Sequence, residues 1–452
     1  MKSTRAMRMT LCRPFAAAAI AAALLTPFAG ASAAPAADAP LAFPGAQGWA
    51  AHATGGRGGK ILRVTTLAAS GPGSFADAVN SKGPRIVVFE VGGVIDLGAK
   101  TLRIVEPDLT IAGQTAPSPG ITLIRGGIDI AASNIIVRHI RVRPGSTGAA
   151  RMAGIDFDAI STVGAHDVIV DHCTLTWATD ENLSASGKRF AGNDAEENAA
   201  ATSHRITFSN NIIAEGLAHS THAKGEHSKG SLIHDHVRDI LIVGNLYAHN
   251  YERNPLFKGG VRGQVINNLI YNPGQRAAHY NLIAEEWQGH NYEVGQMVLR
   301  GNVMRAGPST QDLAFFMIGG SGDIDLFAQD NLLVDRVGRH KIDAEGSYTN
   351  APVKVNALKR APELPFGVNV LASAQVQDAV IATAGARPWD RDDVDRRIVA
   401  DTIEGRGAII DNESEVGGYP KQKETRQAFV EADWDLGTME PSKPLQHREA
   451  LK

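Results

Sequence analysis

A short pattern of alternating polar and β-branched residues recurs along the chain between residues 108 and 335. Residues 134–140, for example, place Ile and Val between Asn at one end and Arg and His near the other. Apolar residues at every second position, many of them β-branched, predict β-strands and not helices. The pattern stands at seven places: residues 134–140, 167–175, 205–213, 239–247, 264–271, 296–304 and 323–333.

Each unit contains a polar residue near its centre, and these residues are spaced 33, 39, 34, 23, 34 and 29 positions apart. They are His139, His172, Asn211, Asn245, Asn268, Asn302 and Asn331. A period of about 20–40 residues is typical of a solenoid, in which stacked units bury a shared core. The predicted fold is therefore all-β, a single-stranded right-handed parallel β-helix. A β-propeller is the alternative, but its blades would repeat more regularly.

Short helices are expected to cap this solenoid. Ser74 can cap the N-terminus of a helix over residues 75–79, and a second helix over residues 390–404 would end at Gly405. Residues 341–452 show no clear strand pattern and carry more charge. We therefore predict a β-helix domain over residues 34–340 and a tail over residues 341–452 that packs on it, with a frayed end.

The first 33 residues have the pattern of a secretory signal peptide. A basic start is followed by a short apolar run over residues 15–25 and by Ala31-Ser32-Ala33, which fits a cleavage site. The apolar run is shorter than the roughly 20 residues that a membrane span needs. We predict export to the periplasm or the extracellular space, with no membrane partner.

Removing this segment changes the formal net charge from −3 to −7, because it carries four basic residues and no acidic ones. So acidic a chain is not expected to bind nucleic acid. The two cysteines are Cys12, which lies in the predicted signal peptide, and Cys173. No internal disulfide is therefore expected. Cys173 lies in an apolar run and is predicted to be a buried thiol.

Basic residues cluster at the ends of two successive repeats. Arg253 and Lys258 flank Pro255 and precede two glycines, while Lys224 and Lys229 lie in the coil before. Turns of successive coils lie side by side in a solenoid. These cations are therefore expected to group and to bind an anionic partner.

Acidic residues flank the unit at residues 167–175. Asp156 and Asp158 precede it, and Asp180 and Glu181 follow it. Carboxylates on adjacent turns form an oxygen-rich site suited to Ca²⁺. Zinc is not expected, because the closely spaced histidines form no HExxH or CxxC motif.

Several of these segments resemble pectate lyases of the first polysaccharide lyase family. The run Arg253-x-Pro255-x-x-Lys258-Gly259 is similar to the family's R-x-P-x-x-[RK]-G signature. Asp171-His172-Cys173 resembles its D-H-C strand end, and Asp158-Ala159-Ile160 resembles the preceding D-A-I. Segments within residues 43–59 and 113–117 resemble a bacterial, secreted branch. The resemblance covers residues 43–335 and, more loosely, residues 385–420.

The resemblance implies calcium-assisted β-elimination of polygalacturonate, an anionic polysaccharide, on the outside of a β-helix. It implies that Arg253 is the general base and that Lys258 binds substrate. Lys224 and Lys229 both match the position of a further substrate-binding lysine. Asp156, Asp158 and Asp180 match calcium-binding acids, while Ser184 stands where a fourth acid is expected. A monomer is expected.

Two other functions fit parts of the sequence. A β-helical glycoside hydrolase acting on pectin needs convergent carboxylates. The adjacent pairs Glu285-Glu286 and Asp180-Glu181 would point to opposite faces of a strand, which argues against this function. A non-catalytic polysaccharide-binding β-helix would keep the repeats but would not need Arg253 or the lysines.

Overall fold

The computed structural model describes residues 39–443, and those from Pro40 onward form one compact unit. The predicted signal peptide, Cys12 within it and residues 444–452 of the predicted tail lie outside the described residues. Four α-helices are present in the described part of the chain: α1 (Phe75–Val79), α2 (Ala195–Ala201), α3 (Ser373–Thr383) and α4 (Asp393–Glu404).

Short strands make up most of the described structure. They are β1 (Lys60–Val64), β2 (Arg85–Phe89), β3 (Val91–Asp96), β4 (Leu102–Ile104), β5 (Leu109–Ala112), β6 (Ile121–Ile124), β7 (Ile128–Ile130), β8 (Ile135–Arg138), β9 (Ile140–Arg143), β10 (Ile160–Val163), β11 (His166–Asp171), β12 (Thr174–Thr176), β13 (Leu183–Ser186), β14 (His204–Ser209), β15 (Ile212–Ala214), β16 (Leu232–Ile233), β17 (Arg238–Val243), β18 (Leu246–Ala248), β19 (Leu256–Lys258), β20 (Arg262–Ile266), β21 (Leu269–Tyr271), β22 (Ala278–Leu282), β23 (Gly295–Arg300), β24 (Val303–Arg305), β25 (Phe316–Gly320), β26 (Ile324–Gln329), β27 (Leu332–Val334), β28 (His340–Ile342), β29 (Glu345–Ser347), β30 (Val355–Ala357), β31 (Thr425–Arg426), β32 (Trp434–Asp435) and β33 (Glu440–Pro441).

Three long sheets run side by side along the molecule. Sheet A has the order β1-β2-β5-β8-β11-β14-β17-β20-β23-β26-β30, sheet B the order β31-β3-β6-β9-β12-β15-β18-β21-β24-β27-β28, and sheet C the order β4-β7-β10-β13-β16-β19-β22-β25-β29. Each coil of the chain adds one strand to A, then to B, then to C, and nearly all neighbours are parallel. The prediction of an all-β parallel β-helix is confirmed.

Alternation along the strands places one set of apolar residues inside the coils. In β11, Val168 and Val170 are buried, and they align with Ile206 and Phe208 of β14. Successive coils repeat this, so aliphatic side chains stack into one continuous core. Cys173 lies in this core, where burial raises the pKa of its thiol to about 12. The prediction of a buried thiol is confirmed.

Asparagines form a ladder at the corner between sheets A and B. The side-chain oxygen of each accepts hydrogen bonds from the backbone and side-chain N–H groups of the previous one, at 2.8 to 3.3 Å. The ladder consists of Asn211, Asn245, Asn268, Asn302 and Asn331. These buried amides satisfy backbone groups that the turn would otherwise leave unpaired.

His139 and His172 do not belong to this ladder, contrary to the predicted alignment. Each stands one position earlier, in the left-handed region with φ of 59° and 48°. Asn210 takes that position in the next coil, while Cys173 lies beside Asn211. The sequence spacing missed this because either of two adjacent corner positions can carry the polar residue: His172 takes the first position, and Asn211 the second.

Both predicted helices are present. The Ser74 hydroxyl accepts the Asp77 N–H at the start of α1. Helix α4 begins three residues later than predicted, because Asp392 caps it, and it ends at Gly405 with φ of 75°. Together with α3 it covers the outer face of sheet B. No helix among residues 39–443 is long and apolar enough to cross a membrane.

The sheets continue beyond residue 340, the boundary expected from the sequence. Strand β29 pairs in parallel with β25, and β30 pairs in parallel with β26. These last strands are short and largely exposed, so they lack the buried alternating residues by which the earlier repeats were recognised. One further coil therefore follows the predicted end of the repeats.

Replacing Asn268 with Ala should lower the free energy of unfolding by about 2–4 kcal/mol, because buried partners in the neighbouring coils lose their hydrogen bonds. Urea denaturation of the purified chain measures this. The matched control is Asn356→Ala, at an exposed residue of β30, which should change stability by no more than about 0.5 kcal/mol. Equal effects of the two substitutions would contradict a stabilising ladder.

Candidate active site

The predicted site residues gather on the outer side of sheet C and on the loops that enter it from sheet B. Arg253 lies three positions before the start of β19, in the left-handed region with φ of 63°, and Lys258 ends that strand. A cavity of about 280 Å³ opens here. Its charged and hydrogen-bonding lining includes Asp180, Glu181, Lys224, His227, His234, Glu252, Arg253, Lys258, Arg276, His279, Glu286 and Tyr348.

Three acids meet beside Arg253. One carboxylate oxygen from each of Asp158, Asp180 and Glu181 lies within 4.8 Å of the other two. Burial and the neighbouring Asp180 raise the pKa of Asp158 well above its usual range. The nearby carboxylates of Asp158 and Asp180 repel each other, and burial adds to the cost of ionising Asp158. The structure brings the predicted acids Asp158 and Asp180 together and adds Glu181.

Ser184, which departs from the expected acid, is part of this group. Its hydroxyl donates to Asp158 Oδ2 at 2.7 Å, while the Glu181 N–H donates to Asp158 Oδ1 at 2.9 Å. Asp156, the third predicted acid, is exposed and lies outside the close group. Its Oδ2 is 3.9 Å from Nε2 of His222.

Two histidines that the sequence analysis did not assign to the site hold Asp180. His227 Nε2 lies 2.7 Å from Asp180 Oδ1, and the rings of His222 and His227 stack with centroids 3.7 Å apart. Burial alone would raise the pKa of Asp180, but the His227 hydrogen bond and the charges of His227 and Arg253 lower it. The five-residue spacing of His222 and His227 was visible in the sequence, but it did not predict that they contact Asp180.

Arg253 is largely enclosed, with 21 % of its side chain exposed. Its NH1 donates to Glu181 Oε1. Burial lowers the pKa of Arg253, although the negative charges of Asp180 and Asp158 oppose this. The lowering therefore comes from loss of hydration, and the local acids limit it.

Lys258 lies in a network of ion pairs beyond Arg253. Its Nζ donates to Glu286 Oε2 and lies 3.5 Å from Asp235 Oδ2. Arg189 bonds the same two acids, each at 2.9 Å. Any anion that binds Lys258 must compete with Glu286.

The structure distinguishes the two candidate lysines. Lys229 is buried, and its Nζ donates to Glu252 Oε1 at 2.6 Å. Arg276 also pairs with Glu252. Burial alone would raise the pKa of Glu252, but the charges of Lys229 and Arg276 contribute to lowering it to about 2. Lys224 is exposed and lines the cavity. Lys224 is thus free to meet a ligand, while Lys229 already has a partner.

Three further lining residues were missed by the sequence analysis. His279 is buried, its Nδ1 lies 3.0 Å from the hydroxyl of Tyr348, and burial lowers its pKa to about 3. The guanidinium of Arg276 lies 4.0 Å from the centre of the Tyr348 ring. Tyr348 follows β29, in the segment assigned to the tail, and no sequence motif indicated that it reaches this cavity.

Sequence comparison relates this chain to pectate lyases. It is 33 % identical over 385 residues to "Probable pectate lyase C" of Neosartorya fischeri, which covers 84 % of this chain and 81 % of that protein. It is also 33 % identical to the protein of the same name from Emericella nidulans, over 84 % of this chain and 80 % of that one. "Pectate lyase 5" of Ambrosia artemisiifolia is 31 % identical over 30 % of this chain and 37 % of that protein. No established family profile matches.

Solved structures share the fold. The cedar pollen allergen Jun a 1 superposes with a TM-score of 0.52 at 14 % identity, over 75 % of this chain and 92 % of the allergen. A pectate lyase variant from Bacillus subtilis gives a TM-score of 0.52 at 15 % identity, over 75 % and 96 %. The sequence relatives described above are fungal and plant proteins, so the bacterial branch of the resemblance stays a prediction.

Asp158→Asn should stabilise the chain in the presence of a chelator. The folded-state pKa of Asp158 is raised above that of the unfolded chain, so its neutral form contributes stability that is lost as pH rises through the folded-state value. We expect Tm to increase by about 1–3 °C near neutral or higher pH. The gain should vanish near pH 4, where the wild-type carboxyl is also protonated.

Thermal unfolding at several pH values measures this difference. Asp312→Asn, at an exposed residue, is the control and should show no such pH-dependent gain. A gain for Asp158→Asn that is the same at every pH would contradict the cost of burying this charge.

Proposed function

This chain belongs to the pectate lyase family, and we propose that it cleaves pectate by β-elimination at the cavity on sheet C. The observation that carries the proposal is the position of the enclosed Arg253 beside the acid group Asp158, Asp180 and Glu181. An anionic sugar chain fits a cavity whose lining includes the cations Lys224 and Lys258.

Elimination removes the C5 proton of a galacturonate unit and expels the oxygen at C4, which leaves a double bond between C4 and C5. That proton is a weak acid, so the enzyme needs a base and fixed positive charge near the substrate carboxylate. Arg253 is the proposed base, because burial lowers its pKa. Its guanidinium must lose a proton and leave Glu181 before it accepts the C5 proton.

The acid group fits a calcium ion. Carboxylate oxygens are the ligands that Ca²⁺ prefers, and the raised pKa of Asp158 marks a site where a cation would offset like charges. We propose Asp158, Asp180 and Glu181 as the residues that would hold it, with Asp156 at the rim. When bound, the ion would neutralise the uronate carboxylate and stabilise the charge that develops there.

The remaining residues orient the substrate and the acids. Lys224 and Lys258 are proposed to bind uronate carboxylates, Lys258 by displacing Glu286. His227 positions Asp180 through its hydrogen bond. Lys229 keeps Glu252 and Arg276 in place in the cavity lining.

Export is also proposed, because residues 1–33 combine a basic start, an apolar run and a cleavage site. The bacterial, secreted branch of the family and a monomeric state are proposed with it. N-terminal sequencing of protein from the culture medium or the periplasm should give a chain that begins after Ala33. A full-length chain retained in the cytoplasm would contradict export.

Polygalacturonate should be converted with calcium present, and the ultraviolet absorbance of unsaturated uronate products should rise. A chelator should stop the reaction. Arg253→Lys should lower kcat by about 10²–10⁴-fold with substrate binding retained, since a base typically contributes that much. Arg262→Lys, at an exposed residue of β20, should keep full activity. Reducing ends without unsaturated product would indicate a hydrolase, and binding without any turnover a non-catalytic protein.

Substituting each lysine separately should separate catalysis from stability. Lys224→Met should lower kcat/KM by about 10-fold or more with unchanged Tm, because an exposed cation that meets substrate is lost. Lys229→Met should lower the free energy of unfolding by about 1–3 kcal/mol, because Glu252 loses a buried partner. Steady-state kinetics and urea denaturation on both variants measure this. The opposite pattern would assign the substrate contact to Lys229.

A further inference from the structure

A second polar cavity lies at the corner between sheets A and B, across the β-helix from sheet C. It has a volume of about 530 Å³. The side chains that matter here are Gln114, Arg138, His139, His172, Trp389 and Glu440, all of which line it. None of them takes part in the proposed reaction, so the cavity is separate from the active site.

His139 and His172 stand at the same corner position in successive coils. Their rings are nearly parallel, with an interplanar angle of 26° and centroids 5.1 Å apart. One ring nitrogen from each lies within 4.8 Å of the other and of an Asp171 oxygen. Coil stacking therefore places two imidazoles side by side at the cavity wall.

Hydrogen bonds fix the tautomer of both rings. His139 Nδ1 lies 2.8 Å from the carbonyl oxygen of Ala386, and His172 Nδ1 lies 2.7 Å from Asp171 Oδ2. Both partners can only accept, so each Nδ1 carries the hydrogen and each Nε2 keeps its lone pair when the ring is neutral.

Asp171 is itself held in place. It accepts hydrogen bonds from Arg138 at 3.0 Å, Ser209 at 2.8 Å and Asn210 at 3.1 Å. Histidine ligands of metals usually donate their other ring N–H to a fixed carboxylate or carbonyl, which orients the ring and raises its basicity. His172 has the carboxylate and His139 has the carbonyl.

The cavity offers further polar groups. Gln114 is 4 % exposed, and its Oε1 accepts no hydrogen bond from any group in residues 39–443. Glu440 uses Oε1 to bind Arg138 at 2.9 Å, which leaves its second oxygen for another partner. A buried acceptor without a donor is uncommon in native proteins and needs an explanation. Water bound to a metal ion can supply such a donor.

We propose that His139 and His172 bind a divalent transition-metal ion of the zinc class through their Nε2 atoms. Imidazole nitrogen suits zinc, copper and nickel, whereas calcium prefers oxygen ligands. Glu440 and water complete the coordination. The ion ties the corner of the β-helix to the C-terminal segment that carries Ala386 and Glu440, so it stabilises the fold and takes no part in catalysis.

The test is calorimetric titration of the full chain with Zn²⁺ in excess Ca²⁺, which keeps the acid group on sheet C occupied. One zinc ion should bind per chain and raise Tm, because a ligand that binds only the folded state stabilises it. Copper substitution should give an electron paramagnetic resonance spectrum with coupling to two nitrogen atoms. A chain that binds no zinc under these conditions overturns the proposal.

His139→Asn and His172→Asn are suited to this test, because Asn210 and Asn267 adopt the same left-handed corner conformation in later coils, with φ of 53° and 54°. Each variant should bind zinc at least about 10-fold more weakly and lose one nitrogen coupling, and zinc should raise its Tm less than it raises the Tm of the wild type. His340→Asn, at an exposed residue of β28, should bind as the wild type does. Unchanged affinity in both corner variants overturns the proposal, and so does an equal loss in the control.

Discussion

Backbone hydrogen bonds between successive coils hold equivalent residues in columns, with neighbouring strands about 4.8 Å apart. At that spacing, equivalent side chains of successive coils contact one another, so each column can contain only residues whose side chains pack or bond favourably with those above and below. Asparagine can donate and accept at once, and Asn211, Asn245 and Asn268 form an unbroken row. In one charged column the signs alternate, because Glu181 is bridged to Lys229 and Lys229 to Glu252.

The candidate active site contains carboxylates that are paired with cations and carboxylates that are not. Glu252 has Lys229 and Arg276 as partners, and its pKa falls accordingly. Asp158 forms no ion pair within residues 39–443, and burial together with the nearby carboxylate of Asp180 raises its pKa. Burying paired charges is tolerable, whereas gathering like charges costs stability unless a cation joins them. The ion pairs around Glu252 can therefore act as a rigid support for the acid group around Asp158, where the chemistry is proposed.

Sequence reasoning reached the fold because period-2 patterns and their spacing depend only on local burial. It also named Arg253, Lys258, Asp158 and Asp180 as candidate site residues, since these precede or follow recognisable strands. It could not choose between Lys224 and Lys229, because only the folded chain shows that Glu252 occupies one of them. Sequence reasoning missed Tyr348 and Arg276, because only the folded chain shows that their side chains point into the cavity. Asp156 matched a motif, but the loop carries it to the rim.

Both cavities form where segments outside the regular repeats cover the β-helix. Tyr348 comes from the last, irregular coil and meets His279 on sheet C, while the segment with Ala386 and Trp389 covers His139 at the opposite corner. A bare column of stacked side chains is a ridge exposed to water, which screens its charges and hydrates its polar groups. Covering it excludes water, so burial shifts pKa values, as in His139 and His279. The repeats thus align reactive side chains, and the non-repetitive segments give them an environment in which they differ from ordinary surface residues.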